Sequence, residues 1–143
     1  MAAEPHRPGV RPLSPFLTIH RWPITMATSI VHRMTGVALA GGTIVLAWWL
    51  VAVTNGIGSD GIMSFGFFNQ VVGSPIGQIV LFGFVWSLAF HTVNGIRHLA
   101  WDLGYGFEVK TVNLTGIVVF VLSFVLAVGA FAIAWTGHGG YYQ

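Results

Sequence analysis

The chain has 143 residues, of which 55% are hydrophobic and only 7% are charged. Since soluble domains are nearer a quarter charged, this deficit indicates a membrane protein. Cysteine is absent, which excludes a disulfide, a thiolate-bound iron–sulfur cluster and a cysteine nucleophile, and the net charge of +2 is too small to indicate nucleic acid as a partner.

The first 22 residues are predicted to form a polar cytoplasmic arm. Residues 1–22 hold four prolines and three arginines but no apolar central region, so they do not have the composition of a secretory signal peptide. Neither a separate soluble domain nor an internal repeat is indicated elsewhere in the chain.

Three uncharged apolar runs follow the arm. They cover residues 34–53, 76–96 and 114–136. A helix rises about 1.5 Å per residue, so runs of this length can cross a hydrocarbon core of about 30 Å. The helices are expected to extend past the uncharged runs, at about 24–54, 75–101 and 113–136. They form a transmembrane domain, residues 23–137, followed by a periplasmic tail at 138–143.

Basic residues set the orientation of the three spans. All six fall on one side of the bundle: Arg7, Arg11, Arg21, Arg33, Arg97 and Lys110. The positive-inside rule then places the N-terminus and the second connection in the cytoplasm and the C-terminus in the periplasm. The predicted fold is an all-α membrane protein with three transmembrane helices in this orientation.

The first span and the outer connection carry residues that indicate close packing. Gly36 and Ala40 are four residues apart, with Gly41 and Gly42 beside them, and small residues at this spacing let helices approach closely. Residues 54–75 contain several phenylalanines and valines, which suit the membrane interface or a partner. For the small residues, packing within the chain and contact with a partner are equally compatible with the sequence.

His91 is the one ionisable residue of the second uncharged run. An ionisable residue at membrane depth is costly, which makes His91 a candidate for a functional site. A neutral imidazole at this depth needs a hydrogen bond, a metal or a haem. Position alone supports a packing histidine and a haem or metal ligand equally.

A haem held by two histidines would need a second one. The first uncharged run and the third span contain none, and His138 falls at the outer surface. His98 lies seven residues from His91 on roughly the same helical face, but the offset of about 10.5 Å is too large for both to bind one iron. The chain therefore supports half of a bis-histidine site, and another protein must provide the other half.

A second polar cluster lies at the inner end of the first span. Ser29, His32 and Arg33 share one helical face. They lie level with Arg97, His98 and Asp102 at the inner end of the second span. A hydroxyl and a guanidinium can hydrogen-bond a quinone, and arginine and histidine can pair with haem propionates. Position alone favours the alternative, charges that snorkel at a helix end. Asp102 is either a solvated acid that ends its helix or a proton donor to a quinone site.

Three stretches of the sequence resemble the cytochrome b membrane-anchor subunit of succinate dehydrogenase, most of all in its alphaproteobacterial and mitochondrial branch. They are Arg-Pro-Leu-Ser-Pro at residues 11–15, Ser-Ile-Val-His-Arg-Met-Thr-Gly at 29–36 and His-Thr-Val-Asn-Gly-Ile-Arg-His-Leu-Ala-Trp-Asp-Leu-Gly at 91–104. The likeness covers the arm and the first two spans, and the third span matches as an apolar helix.

The resemblance implies a subunit of succinate:ubiquinone oxidoreductase that does not itself bind succinate. Catalysis would need a flavoprotein subunit and an iron–sulfur subunit, and one haem b would be shared with a second three-helix anchor subunit. His91 corresponds to an axial haem ligand, and the second anchor subunit would provide the other histidine. Ser29, Ile30 and Arg33 correspond to residues of the ubiquinone-reduction site.

The resemblance also implies a surrounding for the haem and a location. His32, Arg33 and His98 would lie near the haem propionates, and Asp102 would lie on a proton path. Because no Arg/Ser-rich presequence is visible, a bacterial inner membrane is expected rather than a mitochondrial one. The alternatives are the anchor of a related fumarate reductase that uses menaquinol and a structural anchor without haem.

Overall fold

A computed structural model describes Ile19 and residues 21–55 and 64–138. These residues form four α-helices and no β-strand: α1 (Ile24–Asn55), α2 (Phe65–Gly73), α3 (Pro75–Asp102) and α4 (Val109–His138). Most of the predicted arm, residues 56–63 of the outer connection and residues 139–143 of the predicted tail lie outside the described part of the chain.

Three of the helices are long and apolar enough to cross a membrane. α1, α3 and α4 have 32, 28 and 30 residues, so each is about 40 Å long or more at about 1.5 Å per residue. The candidate spans are Ile24–Thr54, Pro75–Asp102 and Val109–Ala134. An all-helical fold with three candidate membrane spans is therefore confirmed.

The outer connection contains a helix, α2, which the sequence did not lead us to expect. Ser64 caps the start of α2, because its hydroxyl accepts a hydrogen bond from the Phe67 amide at 3.1 Å. Phe68 of α2 is buried and its ring packs edge-on against Trp48 of α1, with centroids 4.9 Å apart. Part of this apolar connection therefore packs within the chain.

One serine forms the corner between α2 and α3. The hydroxyl of Ser74 donates to the Val71 carbonyl at 2.7 Å and accepts from the Gly77 amide at 3.1 Å. Pro75 follows it in the first turn of α3, where a missing amide proton costs no helical hydrogen bond. Ser74 thus ends one helix and caps the next.

Two glycines make the turn between α3 and α4. Gly104 and Gly106 have φ angles of +87° and +81°, which side chains with a Cβ rarely adopt. The Gly104 amide donates to the Trp101 carbonyl at 2.8 Å, and the Tyr105 amide donates to the Ala100 carbonyl at 3.0 Å. These bonds satisfy carbonyls that the helix end would otherwise leave unpaired.

α1 and α3 each contact all the other helices, and α3 is the central one because its contacts, above all those with α4, are the most extensive. Phe90 of α3 is fully buried, with its ring centroid 5.0 Å from that of Phe120 on α4. Large apolar side chains cover much of the outer surface of the bundle. The buried polar residues are Thr28, Thr35, Ser87, Asn94, Arg97 and Ser123. Polar groups thus mark the helix contacts, as they do in bundles whose outside faces lipid or other apolar helices.

Small residues of α1 face α3. A Cβ added at Gly42 would lie 2.9 Å from Cε1 of Phe84, and one added at Gly36 would lie 3.3 Å from Cε1 of His91. Gly41 has nothing within 4 Å of such an atom. Of the two interpretations of these small residues, packing within the chain therefore holds for Gly36 and Gly42.

Candidate functional site

His91 lies on α3 and faces α1. Its Nδ1 is 3.3 Å from Oγ1 of Thr35, a residue of α1 that is only 3% exposed. The absence of a side chain at Gly36 lets the imidazole lie close to the backbone of α1. Nε2 makes no hydrogen bond with any residue that the structure describes. One ring nitrogen is therefore held by the protein, and the other is available to a ligand.

The ring of His32 on α1 is close to two histidines of α3. It stacks on His91 with centroids 3.9 Å apart and planes 10° apart, and its centroid is 5.3 Å from that of His98. Nδ1 of His32 is buried and has no hydrogen-bond partner among the described residues. The sequence predicted a shared face for His91 and His98, and the structure adds His32 beside both.

The three imidazoles do not converge on one point. Within the described residues, no group of three His, Cys, Asp or Glu side chains could hold a metal ion. A six-coordinate haem iron takes one ligand on each face of the macrocycle. His91, with Nδ1 held and Nε2 available, therefore fits one half of such a ligand pair.

A shallow, open cleft of about 280 Å³ lies on the surface of the N-terminal part of α1. The described residues that line it are Thr25, Met26, Ser29 and Ile30. Arg33 is exposed, lies one turn beyond Ser29 on the same side of α1, and forms no hydrogen bond or ion pair with the residues described. The structure thus brings Ser29 and Ile30 to one surface with Arg33 one turn away, whereas His32 turns towards α3.

Arg97 is buried between the three long helices and is only 7% exposed. Its Nε donates to the Thr115 hydroxyl at 3.0 Å and its Nη2 donates to the Val112 carbonyl at 2.9 Å, both on α4. Its Nη1 donates to the Thr28 hydroxyl on α1 at 3.3 Å and to the Asn94 side-chain oxygen at 3.4 Å. These acceptors are all neutral oxygens, so the guanidinium joins α1, α3 and α4 with no carboxylate partner among the residues that the structure describes.

The end of α3 presents His98 and Asp102 at the surface. Both side chains are exposed, and Asp102 forms no ion pair within the described chain. The ring of Trp101 meets His98 edge-on, with centroids 5.0 Å apart, and lies 4.1 Å from the guanidinium carbon of Arg97. His98 and Asp102 are therefore accessible from the end of the bundle that holds the α3–α4 turn.

The sequence did not indicate the contact of Thr35 with His91 or the acceptors of Arg97. Arg97 is expected in the polar cluster at the inner end of the spans, but its acceptors Thr28 and Thr115 are distant along the chain. For Thr35 the available signal is its position three residues after His32, a spacing at which a helical hydroxyl reaches back to a carbonyl. That spacing does not indicate which residue of another helix the same hydroxyl meets.

The family model and the most similar known proteins all identify the same family. A family model described as the succinate dehydrogenase/fumarate reductase transmembrane subunit matches residues 8–130. The chain is 41% identical over 120 residues to the succinate dehydrogenase cytochrome b556 subunit of Paracoccus denitrificans, covering 84% of this chain and 88% of that one. It is 43% identical over 116 residues to the same subunit of Rickettsia prowazekii, covering 81% and 86%. Identity to the mitochondrial cytochrome b560 subunit of Sus scrofa is 37% over 123 residues, covering 86% and 71%.

Proposed function

Because the chain belongs to the family of succinate dehydrogenase/fumarate reductase transmembrane subunits, we propose that it is the cytochrome b anchor of a succinate:ubiquinone oxidoreductase. In this proposal it spans the bacterial inner membrane three times, with its N-terminus in the cytoplasm. Succinate is oxidised on a flavoprotein subunit and the electrons pass through an iron–sulfur subunit. This chain takes part in the final step, the reduction of ubiquinone.

The observation that carries the proposal is the environment of His91. Thr35 holds Nδ1, Gly36 leaves room for the ring, and Nε2 has no partner among the described residues. With this arrangement His91 would hold haem b, a group that would supply one-electron chemistry when it is bound. A second histidine, from a second three-helix anchor subunit, would also hold the haem, which the two subunits would share.

Polar groups near His91 suit the edge of such a haem. The ring of His32 lies beside that of His91, with centroids 3.9 Å apart, and its buried Nδ1 has no partner among the described residues. His98 is exposed, and its ring centroid lies 5.3 Å from that of His32. Arg33, an exposed cation, follows His32 directly in the chain. We assign these three side chains to the surroundings of the propionates.

The cleft on α1 is assigned to ubiquinone. Its polar lining includes the hydroxyl of Ser29, a donor for a quinone carbonyl, and its apolar lining includes Ile30, which suits the ring. The guanidinium of Arg33, one turn away, stabilises negative charge on the oxygen that is being reduced. Asp102, exposed at the end of α3, can deliver protons from the cytoplasmic side.

The haem assignment is tested on the assembled membrane complex with His91→Ala. We expect the reduced-minus-oxidised optical spectrum to lose its b-type band, because the substitution removes Nε2, the nitrogen that would bind the iron. Thr92→Ala is the matched control, since Thr92 is the next residue on the helix and is exposed. An unaltered b-type band in His91→Ala would refute the assignment.

The quinone assignment is tested with Ser29→Ala and Arg33→Gln. Each variant should reduce ubiquinone reductase activity at least about 10-fold, the equivalent of about 1.4 kcal/mol, while succinate oxidation with an artificial acceptor stays at the native rate. Ser123→Ala and Lys110→Gln are the controls. Ser123→Ala removes a hydroxyl that donates to the Phe120 carbonyl, and Lys110→Gln removes an exposed cation at the start of α4. Native ubiquinone turnover in both test variants would contradict the site, and preference for menaquinol and fumarate would contradict the reaction.

A further inference from the structure

The hydroxyl of Thr35 lies between two hydrogen-bonding groups of different kinds. Its Oγ1 is 2.9 Å from the backbone carbonyl oxygen of His32, three residues earlier on α1. The same oxygen is 3.3 Å from Nδ1 of His91 on α3. Thr35 is buried, so water does not compete for either contact.

The number of protons decides the direction of both bonds. A threonine hydroxyl has one proton to donate, and a carbonyl oxygen can only accept. The proton of Thr35 is therefore donated to the His32 carbonyl. The Thr35 oxygen must then accept the bond from His91, which requires that the imidazole carries its proton on Nδ1.

The position of that proton determines what the other ring nitrogen can do. A neutral imidazole with its proton on Nδ1 has a lone pair on Nε2, the form that binds a metal through Nε2. A hydrogen bond from the distal ring N–H to an oxygen fixes the orientation of a metal-bound histidine and raises its basicity. Because the Thr35 hydroxyl is itself a donor to a carbonyl, the two bonds polarise each other and each is strengthened.

We propose that Thr35 is the positioning residue for His91, and that its hydroxyl fixes the imidazole tautomer and ring orientation that present Nε2 to the haem iron. The inference rests on the proposed role of His91 as a haem ligand. Two further contacts restrict the ring in the same orientation. His32 stacks on it with centroids 3.9 Å apart, and α1 approaches it so closely at Gly36 that a Cβ added there would lie 3.3 Å from Cε1.

The chain offers a matched control on the same helix. Thr43 donates its hydroxyl proton to the Ala40 carbonyl at 2.6 Å, the same pattern three residues back, but it is exposed and forms no hydrogen bond with a histidine of the described chain. Thr35→Val removes the hydroxyl and keeps the shape of the side chain. Thr35→Ser keeps the hydroxyl, and Thr43→Val removes an equivalent hydroxyl away from the histidine.

The experiment compares these variants in the purified, haem-containing complex. Thr35→Val should shift the haem midpoint potential to a more positive value, because a less basic ligand stabilises oxidised iron less well. It should also lower haem affinity about 10-fold, read as haem retained after dilution. Thr35→Ser and Thr43→Val should keep the native potential and haem content.

The outcomes separate this inference from the proposed function. A native potential and native haem retention in Thr35→Val, together with loss of the haem band in His91→Ala, would overturn the role of Thr35 alone. A retained band in His91→Ala would overturn both. If Thr35→Val does not assemble, Thr35→Ala provides a hydroxyl-free side chain without the second methyl group. Failure of both to assemble would assign Thr35 to helix packing and would also overturn the inference.

Discussion

Arg97 on α3 and Thr28 on α1 are joined by a hydrogen bond of 3.3 Å between two buried side chains. Thr28 donates its own proton to the Thr25 carbonyl at 3.0 Å. Thr25 lines the cleft that we assign to ubiquinone, as does Ser29, the residue after Thr28. The turn of α1 that forms the cleft is thus fixed from the opposite side of the helix by a guanidinium of α3.

Replacement of Arg97 should destabilise the bundle. Arg97→Gln loses three interhelical hydrogen bonds, and at about 0.6 kcal/mol each inside a membrane protein they amount to about 2 kcal/mol. Arg97→Lys should be intermediate, because an ammonium group is a point charge that cannot reach acceptors on both α1 and α4 as the guanidinium does. The measurement is the melting temperature of the purified complex in detergent.

The control for Arg97 is Lys110→Gln, which removes an exposed cation at the start of α4. It should leave the melting temperature unchanged, because an exposed charge contributes little to stability. An Arg97→Gln complex that melts at the native temperature would show that the buried guanidinium does not hold the helices together.

The three spans follow from the sequence because a bilayer imposes a minimum length on an uncharged run. The helix α2 could not be predicted in this way, because no minimum length applies to a helix that does not cross the membrane. Its nine residues depend on two serine caps. The burial of Arg97 could not be predicted for a different reason. A charged side chain near the end of a span ordinarily extends towards water. Only the register of α1 and α4 against α3 places Thr28 and Thr115 where they accept hydrogen bonds from this guanidinium.

The candidate site likewise has one part that the sequence predicts and one part that depends on helix packing. His91 could be identified from sequence because a single ionisable group in an apolar run is unusual. The stacking of His32 on His91 depends on how α1 and α3 pack against each other, which the spacing within either helix does not determine. The spacing of Ser29, His32 and Arg33 predicts one shared face of α1, but only the packing of α1 against α3 turns His32 towards His91 and leaves Arg33 exposed.

Two adjacent glycines of α1 should respond differently to substitution by alanine. At Gly42 the new Cβ would lie 2.9 Å from the ring of Phe84, so Gly42→Ala should separate α1 from α3 and cost about 1–3 kcal/mol. At Gly41 the space is open, so Gly41→Ala should be neutral or stabilising by up to about 1 kcal/mol through helix propensity. The measurement is the melting temperature of each complex, which should be lower for Gly42→Ala than for Gly41→Ala. Equal melting temperatures would contradict the close packing of α1 against α3 at Gly42.

The corner between α2 and α3 should be intolerant of a side chain at Gly77. A Cβ there would collide with the carbonyl oxygens of Val71 and Val72, which are backbone atoms that cannot turn aside. Gly77→Ala should therefore open the corner and weaken the hydrogen bond from the backbone amide of residue 77 to the Ser74 hydroxyl. The melting temperature of the complex should fall as a result. Gly73→Ala, with nothing within 4 Å of the new atom, is the control. A Gly77→Ala complex that melts like Gly73→Ala would mean that this corner is looser than its contacts indicate.

Gly36→Ala should act on the haem ligand more than on stability. Its Cβ would lie 3.3 Å from Cε1 and 3.8 Å from Nδ1 of His91, so the imidazole must shift by a few tenths of an ångström and lengthen its bond to Thr35. On the proposed function, we expect the midpoint potential to move in the same direction as in Thr35→Val, by a smaller amount, because the bond is weakened and not removed. Gly95→Ala on α3, where the added atom meets nothing within 4 Å, should keep the native value. A native potential in Gly36→Ala, with the haem content intact, would show that the ring of His91 does not depend on its close approach to α1.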